Sequence, residues 1–118
     1  MSARNKAVLE QANAAITRGD IEGFLVHCTD DLQWTAVGDS TIHGKAAVRT
    51  WMQANYVEPP VFGVSQLVAE DDMLVALGEI ESRDADGRVV RNAYSDVWRL
   101  RDGKLAELRA FVVELPAT

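Results

Sequence analysis

The sequence predicts an α+β protein in which three N-terminal helices pack on a strongly curved antiparallel sheet. Apolar residues recur at helical spacing through most of the first half of the chain, and alternating segments typical of strands fill the second half. The dipeptide Asp102-Gly103 separates the last two alternating segments, which indicates a β-hairpin. Helices followed by a run of strands favour a fold with its helices on one face of the sheet.

Length and charge limit the classes of function. The 118 residues suffice for one domain, 1–118, with a single core. The net charge of -6 argues against nucleic acid or an anionic membrane surface as a partner. No apolar run approaches the roughly 20 residues of a membrane helix, and the N-terminus lacks a signal-peptide pattern. One cysteine, Cys28, favours a reducing cytoplasm, and neither a metal nor another cofactor is expected.

The first two helices are separated by a Gly-Asp pair. Residues 3–18 show helical periodicity, and Gly19 supplies the left-handed residue that ends that helix. Asp20 is a suitable N-cap for a second, short helix over residues 21–28. Phe24 in this second helix is expected to point to the core.

A short strand and a third helix follow. Residues 32–37 alternate as a strand, and a loop is expected over 38–44. Residues 45–56 carry an apolar stripe typical of an amphipathic helix, which Pro59 and Pro60 end.

The remaining chain is predicted to form four strands in a meander. Residues 61–69 and 73–83 are the first two strands, with a turn over 70–72 between them. A second turn over 84–87 leads to the hairpin of residues 88–115, which supplies the last two strands.

The first arm of the hairpin carries the most informative row of side chains. Alternation places six residues on one face: Val90, Asn92, Tyr94, Asp96, Trp98 and Leu100. The row is apolar at its ends and polar in the middle. Such a face is typical of a pocket wall, and equally of a sheet face left partly in water.

The other face of the hairpin is predicted to be an interface. Val97, Leu108 and Val112 are expected to point outward there as an apolar row. Because a continuous exposed apolar patch is uncommon in monomers, a second copy of the chain is the expected cover. The sequence therefore predicts a homodimer.

Four segments carry a family resemblance: Gly19–Glu22, Asp30–Trp34, Ile42–Lys45 and Asp96–Lys104. With the order of elements, they resemble the SnoaL-like branch of the nuclear transport factor 2-like superfamily, which also contains ketosteroid isomerases, polyketide cyclases and limonene epoxide hydrolases. The resemblance covers nearly the whole chain. It implies a cone-shaped α+β roll, an apolar pocket inside the cone, and a homodimer through the outer face of the sheet.

The resemblance also implies a candidate catalytic role for Asp96. Ketosteroid isomerases combine an aspartate base with a tyrosine and a protonated aspartic acid that donate to an oxyanion. Asp96 matches the position of the oxyanion aspartate. The base would lie near Thr35 or Ala36 and the tyrosine near Ala12, and none of these residues supplies the required group. Steroid-type isomerisation by that set of residues is therefore not expected.

Two interpretations of Asp96 stay open. In an apolar pocket, desolvation would raise its pKa, and the protonated carboxyl would donate to a ligand carbonyl. Alternatively, Tyr94, Asn92 or an arginine holds the carboxylate and it does no chemistry. Glu107 and Arg109 on the last strand, in line with Phe111, belong either to an exposed row of charges or, in the case of one of them, to a partnership with Asp96 across the sheet.

The candidate binding residues carry aromatic or amide side chains: Phe24, Trp34, Asn92, Tyr94, Trp98 and Phe111. Tyr94 and Asn92 offer a phenol and an amide to orient a ligand, or they pair across strands. Trp34 and Trp98 offer flat apolar walls, or they are plain core.

Structural roles are the preferred interpretation for five further residues. Trp51 and Tyr56 are expected to pack the third helix on the sheet. His27 ends the second helix, where a partly cationic ring is favourable, and His43 is expected at the surface. Cys28 is expected to be a buried, inert thiol.

A charged row lies on the strand over 73–83. Glu79, Glu81 and Arg83 share one face there. The row loosely resembles the arginine between two aspartates of the epoxide hydrolases. An exposed row of ion pairs is the preferred interpretation.

Two classes of function remain. The first is a site for a hydrophobic small molecule with isomerase, cyclase or lyase chemistry centred on Asp96. The second is a non-catalytic ligand-binding or dimerisation module with the same pocket. A titratable acid that faces a ligand in the cavity favours the first class. An Asp96 held by an arginine, or a pocket filled by Trp34 and Trp98, favours the second.

Overall fold

A computed structural model describes residues 2–83 and 86–116 as three helices on a six-stranded sheet. The helices are α1 (Ser2–Thr17), α2 (Ile21–Leu25) and α3 (Lys45–Asn55). The strands are β1 (Cys28–Ala36), β2 (Ser40–His43), β3 (Val61–Glu70), β4 (Met73–Arg83), β5 (Val89–Arg101) and β6 (Lys104–Glu114). The sheet is curved and open, in the order β2-β1-β6-β5-β4-β3, which confirms the α+β class. Part of the turn predicted over 84–87 lies outside the described residues.

Two elements differ from the predicted ones. The second helix ends at Leu25, and the chain enters the sheet early because the His27 carbonyl accepts a hydrogen bond from the Leu105 N–H (2.8 Å). The loop predicted over 38–44 contains β2, an edge strand of four residues. β2 is too short and too polar to show the alternation that reveals a longer strand.

The sheet is mixed rather than wholly antiparallel. β1 lies parallel to β6, with Trp34 opposite Leu108 and Ala36 opposite Ala110. The other four neighbouring pairs are antiparallel. β1 and β6 are far apart along the chain, so no hairpin constrains them to run in opposite directions. This junction brings the end of β1 next to the hairpin row that carries Asp96.

A β-bulge in the β5–β6 hairpin determines which residues face inward. Leu100 lies opposite Leu105, whereas Trp98 lies opposite Leu108, so β6 has one extra residue between these two pairs. Because side chains alternate along a strand, a shift of one residue moves all later side chains to the other face. The turn dipeptide reveals the hairpin but not this bulge.

The bulge corrects three of the sequence predictions for β6. Leu108 and Val112, predicted to point outward, share the inner face of Trp98 and Tyr94. Phe111, predicted to line the pocket, lies on the opposite, convex face. The predicted outward row therefore retains only Val97 of its three members, while Phe111 and Val113 replace the other two.

The helices cover the concave face of the sheet. α1 buries Leu9, Ala12 and Ala15, and the Asn5 amide donates to the backbone carbonyl of Asp71 in the β3–β4 turn (3.1 Å). This hydrogen bond fixes one end of α1 against the sheet. The other end of α1 points its Asn13 and Ile16 side chains toward the interior cavity.

The connection between α1 and α2 follows the predicted capping. Gly19 has a φ of 78°, a conformation that suits glycine and ends α1. The Asp20 carboxylate accepts a hydrogen bond from the Gly23 N–H (2.8 Å) and caps α2. This cap places Phe24 in the core, where it is fully buried.

Candidate functional site

An apolar cavity of about 270 Å³ lies between the helices and the concave face of the sheet. The residues that line it are Asn13, Ile16, Trp34, Ala36, Trp51, Tyr56, Pro60, Phe62, Ala76, Ile80, Tyr94, Asp96, Trp98, Leu108, Ala110 and Val112. Among these described residues, Asp96 is the only one with an ionisable carboxyl group. The cavity is therefore an apolar compartment with one acid in its wall.

Asp96 is positioned by the middle of β5. Its direct neighbours in the sheet are Ala76 on β4 and Ala110 on β6. Their methyl groups are too short to cover the carboxyl group, and they offer it no side-chain hydrogen bond. Asp96 therefore projects into the cavity rather than into a side-chain network.

The Asp96 carboxyl group has no hydrogen-bond or ion-pair partner within residues 2–83 and 86–116. Burial raises its pKa to about 7, because an apolar environment disfavours the charged form. The predicted alternative, in which Glu107 or Arg109 pairs with Asp96, is wrong. Both lie on the convex face, where the Arg109 guanidinium stacks on the Phe111 ring at 5.5 Å.

Tyr94 lies beside Asp96 in the same inward row. Its ring extends across Gly78 on β4, and its hydroxyl is directed at the Gly63 carbonyl oxygen on β3 (3.4 Å). Burial, and secondarily the Asp96 charge, raises the pKa of Tyr94 to about 12. The phenol is therefore neutral at physiological pH, and its hydroxyl donates a hydrogen bond to the Gly63 carbonyl oxygen.

Tyr56 is a cavity residue that the sequence interpretation assigned to packing. It follows the last turn of α3 and lies against Trp51, with ring centroids 5.2 Å apart. Burial, and secondarily the Asp96 charge, raises the pKa of Tyr56 to about 12. No side-chain hydrogen bond from its hydroxyl is present in the described part of the chain. Tyr56 thus presents an uncommitted phenol near Asp96.

The tryptophans form one wall of the cavity, and Phe24 packs against the side of this wall that faces the core. Trp34 and Trp98 meet edge to face with centroids 6.0 Å apart, and Trp34 also contacts Trp51 at 5.7 Å. Phe24 packs behind both Trp34 and Trp98, at 6.0 and 6.3 Å. Such contacts restrict the rings, so the wall presents a defined shape to a ligand.

The structure brings together four of the seven candidate residues. Trp34, Tyr94, Asp96 and Trp98 all line the cavity. Phe24 supports the wall from behind, and Phe111 lies on the convex face. The seventh, Asn92, sits near the end of β5 outside the cavity lining.

The Asn92 amide is used within the sheet. It donates to the Ile80 carbonyl (3.3 Å) and to the Ser82 hydroxyl (3.1 Å). This cross-strand role is one of the two interpretations left open by the sequence. The amide side chain that lines the cavity is instead that of Asn13 on α1, a residue that the sequence did not indicate as part of the site.

The positions where the family resemblance would place a base and a second tyrosine carry no such groups. Ala36 lines the cavity, and Ala12 is buried. The Thr35 hydroxyl lies 2.9 Å from that of Thr41 on β2.

The other polar candidates lie outside the cavity. Glu79 forms an exposed ion pair with Arg91 on the neighbouring strand, as expected for a surface row. Burial raises the pKa of the Cys28 thiol to about 12, and the thiol lies 3.7 Å from the Phe24 carbonyl oxygen.

No group of three His, Cys, Asp or Glu side chains suited to a metal ion occurs among the described residues. No described helix is long and apolar enough to cross a membrane.

The fold and the cavity define a class: a small α+β domain in which a curved sheet and three helices enclose an apolar site. A family model described as a SnoaL-like domain matches residues 9–108. The chain belongs to this SnoaL-like family, which confirms the resemblance noted in the sequence. No curated protein matches the chain at a significant level.

Solved structures share the fold at low sequence identity. A putative ketosteroid isomerase from Kribbella flavida superposes with a TM-score of 0.83 and 15% identity, over 99% of this chain and 83% of that one. An LEH-like epoxide hydrolase from M. tuberculosis gives 0.84 and 16%, over 95% and 84%. The epoxide hydrolase/cyclase-like enzyme SalBIII, from the salinomycin system, gives 0.84 and 20%, over 94% and 92%. At such identities the likeness concerns the fold.

Proposed function

We propose that the protein binds a hydrophobic carbonyl compound in the cavity and transfers a proton through Asp96. The observation that carries this proposal is an unpartnered carboxyl group in the wall of an otherwise apolar cavity. A protonated carboxyl donates a hydrogen bond to a carbonyl oxygen, and the tryptophan wall excludes water from the apolar remainder of the ligand.

A single group with a pKa of about 7 supports proton transfer in both directions. Near neutral pH the protonated and ionised forms of Asp96 are both well populated. The ionised form removes a proton from carbon next to the carbonyl, and the same group returns it elsewhere. Tyr56 supplies a neutral phenol that stabilises the enolate oxygen formed in between. This cycle is the core of an isomerase, cyclase or lyase reaction.

A second function is supported by what the cavity wall lacks. Ala36 occupies the position where a separate base would lie, and no further carboxylate or histidine lines the cavity in the described part of the chain. A non-catalytic module that binds the same class of ligand needs only the apolar walls and one hydrogen-bond donor. Catalysis and simple binding therefore differ in whether Asp96 exchanges protons with the ligand.

Proton exchange in 2-tetralone separates the two functions. This bicyclic ketone has acidic protons next to its carbonyl, and NMR follows their replacement by deuterium in D2O. With the wild-type protein we expect exchange at least a hundredfold faster than with Asp96→Asn, within the range typical of general acid–base groups. Asp39→Asn removes an exposed carboxylate outside the cavity and is expected to behave as wild type.

Binding is measured in parallel through tryptophan fluorescence. Binding of 2-tetralone without accelerated exchange would identify the non-catalytic module. If the wild-type protein binds neither 2-tetralone nor other hydrophobic ketones, the proposed ligand class is wrong.

We also propose a homodimer through the convex face of the sheet. Val68, Val97, Phe111 and Val113 are partly or largely exposed on that face. They form an apolar patch of the kind that a second copy covers. Light scattering at micromolar concentration is expected to give twice the chain mass of 13.0 kDa. The mass of a single chain, or no weakening by Val113→Lys, would count against this interface.

The proposed location is a reducing cytoplasm. The chain has one cysteine, Cys28, which is buried as a free thiol and forms no disulfide within the chain. Cell fractionation that recovers the native protein from an oxidising compartment would contradict this assignment.

A further inference from the structure

The cavity has a chemical property that the proposed carbonyl chemistry does not use. All three tryptophans, both tyrosines and Phe62 line it, around the single carboxyl group of Asp96. The faces of aromatic rings carry negative electrostatic potential, which attracts cations. A carboxylate among such rings is complementary to a positive charge that is itself surrounded by apolar groups.

The chain supplies no cation for this position. Within residues 2–83 and 86–116, no Lys, Arg or His side chain bonds to Asp96, and the described ion pairs involve other carboxylates. The titratable groups that face Asp96 are two neutral phenols, Tyr56 from the end of α3 and Tyr94 from β5. A positive charge at this position therefore has to come from a ligand.

The elements packed around Asp96 leave room for such a ligand. The neighbouring strands place only Ala76 and Ala110 beside it, and α1 contributes the uncharged Asn13 and Ile16 to the same cavity. The volume of about 270 Å³ accommodates a small organic cation with an apolar remainder. A net charge of -6 also raises the local concentration of cations around the protein.

We infer that the cavity also binds hydrophobic ammonium ions, with the aromatic rings around the cation and Asp96 as its counter-ion. The ligand class is a quaternary or tertiary amine with an apolar substituent. This binding shares the cavity of the proposed function but depends differently on the protonation of Asp96. The carbonyl reaction uses both the protonated and the ionised carboxyl group in turn, whereas an ammonium ion needs the carboxylate alone.

Two probes of equal shape test the inference. Benzyltrimethylammonium and neopentylbenzene differ by a positively charged nitrogen in place of a neutral carbon, and neither titrates. Tryptophan fluorescence gives their dissociation constants at pH 5 and pH 9. Because Asp96 changes from protonated to ionised between these values, the ammonium ion is expected to bind at least about tenfold tighter at pH 9. The affinity of neopentylbenzene is expected to change less than about twofold.

Two variants assign the effect to Asp96. Asp96→Asn is expected to abolish both the pH dependence and the advantage of the ammonium ion, whereas the exposed control Asp39→Asn retains both. If Asp96→Asn fails to fold, the comparison of the two probes on the wild-type protein still decides the inference.

The outcomes also separate this inference from the proposed function. Equal affinity of the two probes at pH 9 would overturn the inference and leave the carbonyl proposal standing. Failure of both probes to bind at either pH would count against the cavity as a ligand site, and so against both.

Discussion

Two aspartates on the sheet show how differently one side chain behaves on the two sides of this protein. Asp31 on β1 is exposed, and its carboxylate accepts a hydrogen bond from the Arg101 guanidinium at 2.6 Å. That bond is the main cause of a pKa lowered to about 2. Asp96 on β5 faces the cavity, and burial alone raises its pKa to about 7.

The difference comes from the neighbours that each face provides. On the outer surface, a long arginine side chain reaches the carboxylate while water solvates both groups. In the cavity, the neighbours of Asp96 are alanine methyls and aromatic rings, and neither the Tyr56 nor the Tyr94 hydroxyl donates a hydrogen bond to its carboxyl group. Functional sites commonly contain a buried acid that is unfavourable for stability, because a bound ligand can supply the hydrogen-bond or charge partner that the protein does not.

The largest expected effect is on the pH dependence of stability. The pKa of Asp96 is raised from 3.8 to about 7, so between these values the folded state binds more protons than the unfolded state. The free energy of unfolding therefore falls as pH rises through this window, by an amount on the order of 4 kcal/mol. Asp96→Asn removes this dependence. The free energy of unfolding of the variant is expected to exceed that of the wild-type protein by the largest amount at pH 8.

Urea unfolding of both proteins at pH 4.5 and pH 8 measures this effect. The difference between them should grow by a few kcal/mol from the lower to the higher pH. A constant difference would show that burial of Asp96 does not penalise its ionisation.

A smaller effect is expected from Gly78→Ala. A Cβ at this position would lie 2.1 Å from the Gly63 carbonyl oxygen and 2.7 Å from the Tyr94 hydroxyl. Relief of these overlaps requires shifts of backbone and ring that typically destabilise by about 1–3 kcal/mol. Displacement of the Tyr94 ring opens the surroundings of Asp96 to water, so the pKa of Asp96 should fall.

Gly63→Ala is the matched control for this variant. A Cβ there meets nothing within 4 Å, and alanine suits a strand better than glycine. Thermal unfolding should find it as stable as wild type or more so. Equal stability of both alanine variants would contradict the close packing of Tyr94 on Gly78.

The smallest effect is expected from Arg101→Gln. Loss of the charged donor should raise the pKa of Asp31 toward its ordinary value of 3.8, while the pKa of Asp96 stays near 7. Global stability should change little, because exposed ion pairs contribute weakly. A carboxyl-carbon NMR titration measures the pKa values of Asp31 and Asp96 in one experiment. An Asp96 midpoint at or below about 4 would remove the proton donor on which the proposed function rests.

The sequence predicted the inward row around Asp96 because β5 is long and alternates without interruption. Tyr94, Asp96 and Trp98 keep their phase over the whole strand, so period two alone places them together. The desolvation of Asp96 followed from that placement. Asn92 shares this row, but it lies toward one end of the strand, where its amide reaches backbone and side-chain acceptors within the sheet.

The residues that sequence reasoning missed depend on packing between elements. Tyr56 belongs to the apolar stripe of the third helix, so helical periodicity predicts that it faces the sheet but does not distinguish a packing side chain from one that lines a cavity. Asn13 lines the cavity from α1, but it is polar, and the search for apolar residues at helical spacing therefore passes over it.

The bulge in β6 bears on how this chain is aligned with distant homologues. At 15–20% identity, residues are matched mainly by their spacing, and one extra residue in a strand leaves almost no trace in such a match. A gap placed on the wrong side of the segment between Leu105 and Leu108 exchanges every later inward position for an outward one. Phe111 would then be equated with cavity residues of other proteins and Val112 with surface ones. Strand pairing, rather than residue count, is the proper guide to equivalent positions beyond this point.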